Sequence, residues 1–195
     1  MSTDTPAPID PATTALLVMD YQNGVFGLVE DGDALVAAAR DTIALARDQG
    51  ATIGYVRVGF ADGEAPTATM RRGLSPEALQ TMLHADGPGT QIHDAIAPQD
   101  GDIVVRKTRV GPFGTTDLDE QLRARGIDTL ILAGISTSGV VLSTVRDGHD
   151  RNYRLVVLAD LCADREADVH AFLMERIFPR QAEVITSGDL EALLR

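Results

Sequence analysis

Cysteine, lysine and aromatic residues are nearly missing from this chain of 195 residues. It has one Cys (Cys162) and one Lys (Lys107), no Trp, and 4% aromatics. One cysteine excludes an internal disulfide and a cysteine-rich metal site. Few aromatics leave little on which nucleic-acid bases could stack. The formal net charge is −12, with the acids spread along the chain. Nucleic acid and anionic membrane both call for clustered cations, so neither is an expected partner. Long apolar runs are missing too. Such runs as there are, Ala15–Met19 and Thr129–Ala133 among them, fall far short of the roughly 20 residues that span a bilayer. Residues 1–13 carry no basic segment and read as a loose lead-in, not a signal peptide. The expected location is the cytoplasm. With no repeat and no linker, the chain reads as a single domain over residues 1–195.

Of 17 basic residues, 16 are Arg. A composition that prefers Arg almost everywhere marks the one position where it keeps Lys, because an ammonium and a guanidinium are not interchangeable.

What is present is an alternation. Short apolar runs at Thr14–Asp20, which ends in the acid, Ala51–Val58, Asp102–Arg106, Asp128–Ala133, Arg154–Ala159 and Ala182–Thr186 read as strands. Between them lie helical periods: Asp33–Asp48 stopped by Gly50, a start at Ser75-Pro76-Glu77, Thr116–Arg125 closed by Gly126, Thr137–His149, Asp164–Phe178 halted by Pro179, and Asp189–Leu194. Strands that are apolar throughout belong in a parallel sheet covered on both faces. The predicted fold class is α/β, a three-layer α/β/α sandwich with a six-stranded parallel Rossmann-like sheet.

Ligands of such sheets bind beyond the carboxyl ends of the strands, near the reversal of strand order. That singles out Asp20, Lys107 and the loop Gly134–Gly139. Gly59–Arg72 is a long connection that can serve as a lid or simply as surface. Asp20 ends an apolar strand. It can cap the turn that follows, or act as a carboxylate of tuned pKa at the mouth of the sheet. Lys107 beside it would orient that carboxylate and steady a developing anion. Gln22 and Phe26 follow the acid and are placed to line a pocket, with Phe113 as an apolar wall. Arg57, Arg71 and Arg72 are candidates for holding a substrate carboxylate, or are solvated cations. Ser136, Thr137, Ser138 and Gly139 open the helix after the fourth strand, where backbone N–H groups favour negative charge. Cys162 reads as a small buried hydrophobe.

Three segments resemble the isochorismatase-like (cysteine hydrolase) family. They are Asp20-Tyr-Gln-Asn; Lys107-Thr-Arg-Val-Gly-Pro-Phe113; and Gly134-Ile-Ser-Thr137-Ser-Gly-Val140 with the residues that run on to Asp147. Asp160-Leu-Cys-Ala-Asp164 and the closing Phe-Pro-Arg-Gln-Ala-Glu-Val-Ile-Thr extend the match from about Thr14 to Leu194. The resemblance implies a catalytic Asp at Asp20 and a catalytic Lys at Lys107. It places the amidases' nucleophilic cysteine at position 140, where this chain has Val140. It also implies a non-proline cis peptide between Ile135 and Ser136, a small-molecule substrate, and a homo-oligomer (dimer or larger) in which a neighbour can enter the site. The metal of some family amidases rests on His residues after the second strand. This chain has none there, and His84, His93, His149 and His170 fit no ligand spacing, so neither a metal nor another cofactor is expected. The expected function is hydrolysis without a cysteine nucleophile, of the vinyl ether type, with Asp20 as general acid or base paired with Lys107. Two alternatives stand beside it: an amide (C–N) hydrolase using activated water or Ser138, and a catalytically silent homologue that only binds a small molecule.

Overall fold

Six strands pair in one parallel sheet: β1 (Thr14–Met19), β2 (Thr52–Val58), β3 (Ile103–Lys107), β4 (Thr129–Ile135), β5 (Arg154–Ala163) and β6 (Glu183–Ile185), in the order β3-β2-β1-β4-β5-β6. The structure is a computed structural model and describes residues 7–27, 29, 31–68, 75, 77 and 82–194. Besides a single turn at Asn23–Phe26, its helices include α1 (Gly32–Asp48), α2 (Leu118–Ala124), α3 (Leu142–Asp150), α4 (Ala167–Phe172) and α5 (Leu190–Leu193).

β1 is buried at all six positions because helices cover both faces of the sheet. One face packs against Leu118 and Leu122 of α2, Val145 of α3, and Leu173 and Met174 beyond α4. The other packs against Val36, Ala39, Ile43 and Ala46 of α1, and Leu190 and Leu193 of α5. The α1 residues recur at three- and four-residue steps, which puts them on one stripe. Gly50, at φ 91°, ends α1 because its left-handed backbone lets Ala51 N–H reach back to Ala46 O (2.9 Å).

Several element boundaries differ from the sequence reading. β3 includes Lys107, and β4 runs on to Ile135, so the expected loop Gly134–Gly139 begins only at Ser136. β5 reaches Ala163 instead of stopping at Ala159. Its register against β4 jumps from Leu132↔Val157 to Gly134↔Cys162, and this irregularity turns Asp160 outward, where its carboxylate accepts the Ser187 N–H (2.8 Å). The helices expected over Thr137–His149 and Asp164–Phe178 each contain a wider π-type turn, at Thr137–Val141 and Leu173–Ile177. α2 spans less than Thr116–Arg125: Thr116 Oγ1 accepts the Leu118 N–H in a turn that precedes the helix. The lead-in is not loose throughout. Ile9 is buried, its N–H donates to Leu193 O (2.9 Å), and Pro11–Thr13 form a turn capped by Asp10. The helix start at Ser75-Pro76-Glu77 and both Arg71 and Arg72 fall in a stretch that lies largely outside the described residues. Among the described residues, no helix is long and apolar enough to cross a membrane.

Strand order reverses between β1 and β4. The crevice between their carboxyl ends is where this topology offers a binding site.

Candidate active site

Asp20 follows the last residue of β1. Its N–H still donates to Val56 O (2.8 Å), but its φ of 59° turns the chain out of the strand. A left-handed backbone is uncommon outside glycine, is tolerated by Asp, and concentrates at functional positions. β3 aligns Lys107 with Val58 of β2, so the ammonium reaches over the end of β2 toward β1. Lys107 Nζ stands 2.8 Å from Asp20 Oδ2 and donates to Val110 O at 2.8 Å.

Lys107 is 2% exposed and Asp20 6%. A buried ion pair of this kind depends on its geometry, since desolvation offsets much of the attraction. The second carboxylate oxygen, Asp20 Oδ1, is buried and has no hydrogen-bond partner among the described residues. Burial raises the Asp20 carboxyl above its usual range. The Lys107 charge and hydrogen bond pull it back only in part.

The residues around the pair differ in what they have left to offer. Gln22 is buried and its carboxamide is fully engaged: Nε2 donates to Val58 O and Thr90 O, and Oε1 accepts the Val58 N–H, all at 2.8 Å. Phe26 packs edge-on against Tyr21 and His93, with ring centroids 5.5 Å away in each case. Arg57 donates to Ala85 O at 2.7 Å. Phe113 stacks on Tyr153, which precedes β5 at the opposite end of the sheet, and lies under Arg151. The guanidinium of Arg57 and the ring of Phe113 are therefore engaged away from Asp20 and Lys107.

At the end of β4 the Ile135–Ser136 peptide is cis. Ser136 O accepts the N–H of Gly139 (3.2 Å) and of Val141 (3.3 Å). A Cβ on Gly139 would stand 2.7 Å from Ser136 Oγ, so a side chain there would make the Ser136 hydroxyl rotate away. Ser138 is exposed, and its N–H donates to Asp164 Oδ2 (2.7 Å), so a carboxylate from this chain already occupies part of the helix start. Val140 is buried in the apolar cluster that holds Met19 and Val56. Cys162 is also buried. Its Sγ lies 3.9 Å from Leu132 O, and burial pushes the thiol up to about 12, so it stays protonated and unreactive.

Sequence reasoning missed His170. It reads as a helix-face residue, yet its Nδ1 stands 2.8 Å from Thr137 Oγ1. Burial lowers its pKa, with Asp164 pulling the other way. Only the sheet order brings the helix after β5 against the turn after β4, so spacing along the chain could not find this contact. Thr137 is fully buried and its hydroxyl is tied to the imidazole. A cavity of about 480 Å³ opens beside this contact, lined in part by Gly27, Val29, Cys162, Asp164, Arg165 and His170. Among the described residues, no three His, Cys, Asp or Glu side chains gather where they could hold a metal ion.

Known proteins share the fold and much of the sequence. The isochorismatase domain model matches residues 14–189. The chain is 34% identical over 186 residues to the uncharacterized isochorismatase family protein YecD of Escherichia coli O157:H7, covering 90% of this chain and 93% of that one. It is 36% identical over 180 residues to the ureidoacrylate amidohydrolase RutB of Methylobacterium radiotolerans, covering 80% of this chain and 69% of that protein. Among solved structures, an isochorismatase family protein from Burkholderia thailandensis superposes with a TM-score of 0.85 at 31% identity, over 97% of this chain and 99% of that one.

Proposed function

This chain belongs to the isochorismatase family and is a hydrolase, and from that premise we propose that it cleaves a small metabolite without a cysteine nucleophile, using Asp20 as general acid with Lys107 as its partner. The observation that carries this reading is the buried Asp20 carboxyl, with one oxygen on Lys107 and the other bare. A bare, desolvated carboxyl oxygen of raised pKa suits an acid that must hold its proton to higher pH than an ordinary carboxyl. Position 140 presents an isopropyl group, which can form no covalent intermediate.

A vinyl ether is the bond type such an acid can cleave alone. Asp20 gives its proton to the enol carbon, leaving an oxocarbenium ion. Water adds to that cation, its proton returns to the Asp20 carboxylate, and the resulting hemiketal loses the alcohol. Lys107, 2.8 Å from Oδ2, stabilises the carboxylate while it is ionised. In this role kcat/KM falls as pH rises through the raised Asp20 pKa, because the acid form is lost.

A second reading is favoured by the amidohydrolase relative at 36% identity. Asp20 then acts as a base that draws a proton from water attacking an amide or ureido carbonyl, and the rate rises with pH through the same value. Hydrolysis in deuterated water separates the two. The acid reading predicts one deuterium on the former enol carbon of the product, with a falling alkaline limb. An unlabelled product with a rising limb would overturn it in favour of the second.

A further inference from the structure

The bare oxygen on Asp20 has a cause two residues along the chain. Val58, at the end of β2, has one N–H, and that N–H faces the Asp20 carboxyl. A carboxylate at such a place ordinarily accepts a backbone N–H, which favours its ionised form. Here the close hydrogen bond goes to Gln22 Oε1 at 2.8 Å, so the Val58 N–H acts on the Asp20 carboxyl only from a distance and Asp20 Oδ1 has no hydrogen-bond partner among the described residues.

The Gln22 amide cannot be turned the other way. Its Nε2 donates at 2.8 Å to Val58 O and at 2.8 Å to Thr90 O. A flip would set Oε1 against two carbonyl oxygens and the amide protons against the Val58 N–H. A backbone bridge between Gln22 and Ile92 holds the residue in place from the other side. Two donors and one acceptor of a side chain that is 1% exposed are thus used within the fold, and none remains for a substrate.

We propose that Gln22 is a positioning residue: by holding the Val58 N–H, it keeps Asp20 Oδ1 free of protein donors and so reserves that oxygen for the proton the reaction moves. This rests on the acid–base reading of Asp20. The charged group facing Asp20 is Lys107, from β3. β2 contributes the Val58 amide, and the turn Ser136–Val140 after β4 carries no titratable side chain.

Two measurements test the proposal, and neither uses a substrate, so the hydrolysis reading can fail without deciding this one. In the wild-type protein, scalar coupling across the hydrogen bond should link the Val58 amide nitrogen to the side-chain carbonyl carbon of Gln22. Coupling to the Asp20 carboxyl carbon would overturn the proposal. In Gln22→Met, the Val58 N–H loses its acceptor and should turn to Asp20. The Asp20 carboxyl, followed by carbon-13 chemical shift, should then titrate about one unit lower, a tenfold weaker hold on its proton. A purely structural Gln22 would lower the melting temperature and leave that titration unmoved, which would also overturn the proposal. Should Gln22→Met fail to fold, the wild-type coupling alone decides.

Discussion

Lys107→Met removes the only buried cation among the described residues from beside the buried Asp20 carboxylate. The methionine keeps the bulk of the side chain, so the loss is one of charge and of two donors. Breaking one side of such a pair costs about 3–5 kcal/mol, and the stranded Asp20 is driven further toward its protonated form. The expected outcome is a protein several degrees less stable at neutral pH, with the deficit shrinking as acid neutralises Asp20. Thermal unfolding across pH reads this directly, and a deficit that grows in acid would contradict it. His170 acts with a definite sign of its own. Its pKa is lowered from 6.5 by burial, so the unfolded chain binds a proton more readily than the folded one. Its contribution to stability is present above about pH 6.5 and is lost as pH falls toward the lowered value. In His170→Asn, which keeps a partner for Thr137 but cannot titrate, stability should depend less on pH over that window.

At the scale of elements, the end of β4 is packed against its neighbours with no spare room. A Cβ on Gly134 would stand 2.9 Å from Val141 Cγ2 and 3.3 Å from Met19 O. The methyl of Gly134→Ala must therefore push β1 or the π-type turn, at a cost of about 1–3 kcal/mol. Because that push falls between Asp20 and Val140, activity should drop along with the melting temperature. A fully stable variant would show the contact to be slack. The elements themselves were readable to different depths. β1 announces itself as an apolar run, β2 as a β-branched and aromatic stretch that Arg57 interrupts, and α1 by its stripe of Val36, Ala39, Ile43 and Ala46. Lys107 stood out because every other basic residue is Arg. The extension of β5 did not, because Asp160 looks like a strand terminator until Ser187 is known to lie beside it. The π-type turns have no residue signature of their own. Gln22 was legible as a neighbour of the acid but not as a clip, since its three partners sit on Val58 and Thr90, 36 and 68 residues away.

At the scale of the molecule, the sheet gathers the proposed site at one end and its closure at the other. The chain ends meet where Ile9 pairs with Leu194, beside Thr13 O, which accepts the Asp128 N–H just before β4. The carboxyl ends of β1, β3 and β4 are left to assemble Asp20, Lys107 and Val140. Cys162 lies on β5, paired with Gly134, and its sulfur is turned into the core. On the proposed function the chain's one thiol stands apart from the reaction, which rests on one carboxyl. The measurement that tests this most directly is hydrolysis of a panel of vinyl ethers and amides by wild type, Asp20→Asn and Cys162→Ala side by side. Turnover should survive in Cys162→Ala and fall by about a hundred- to ten-thousandfold in a folded Asp20→Asn; turnover that survives in Asp20→Asn, or vanishes in Cys162→Ala, would contradict it.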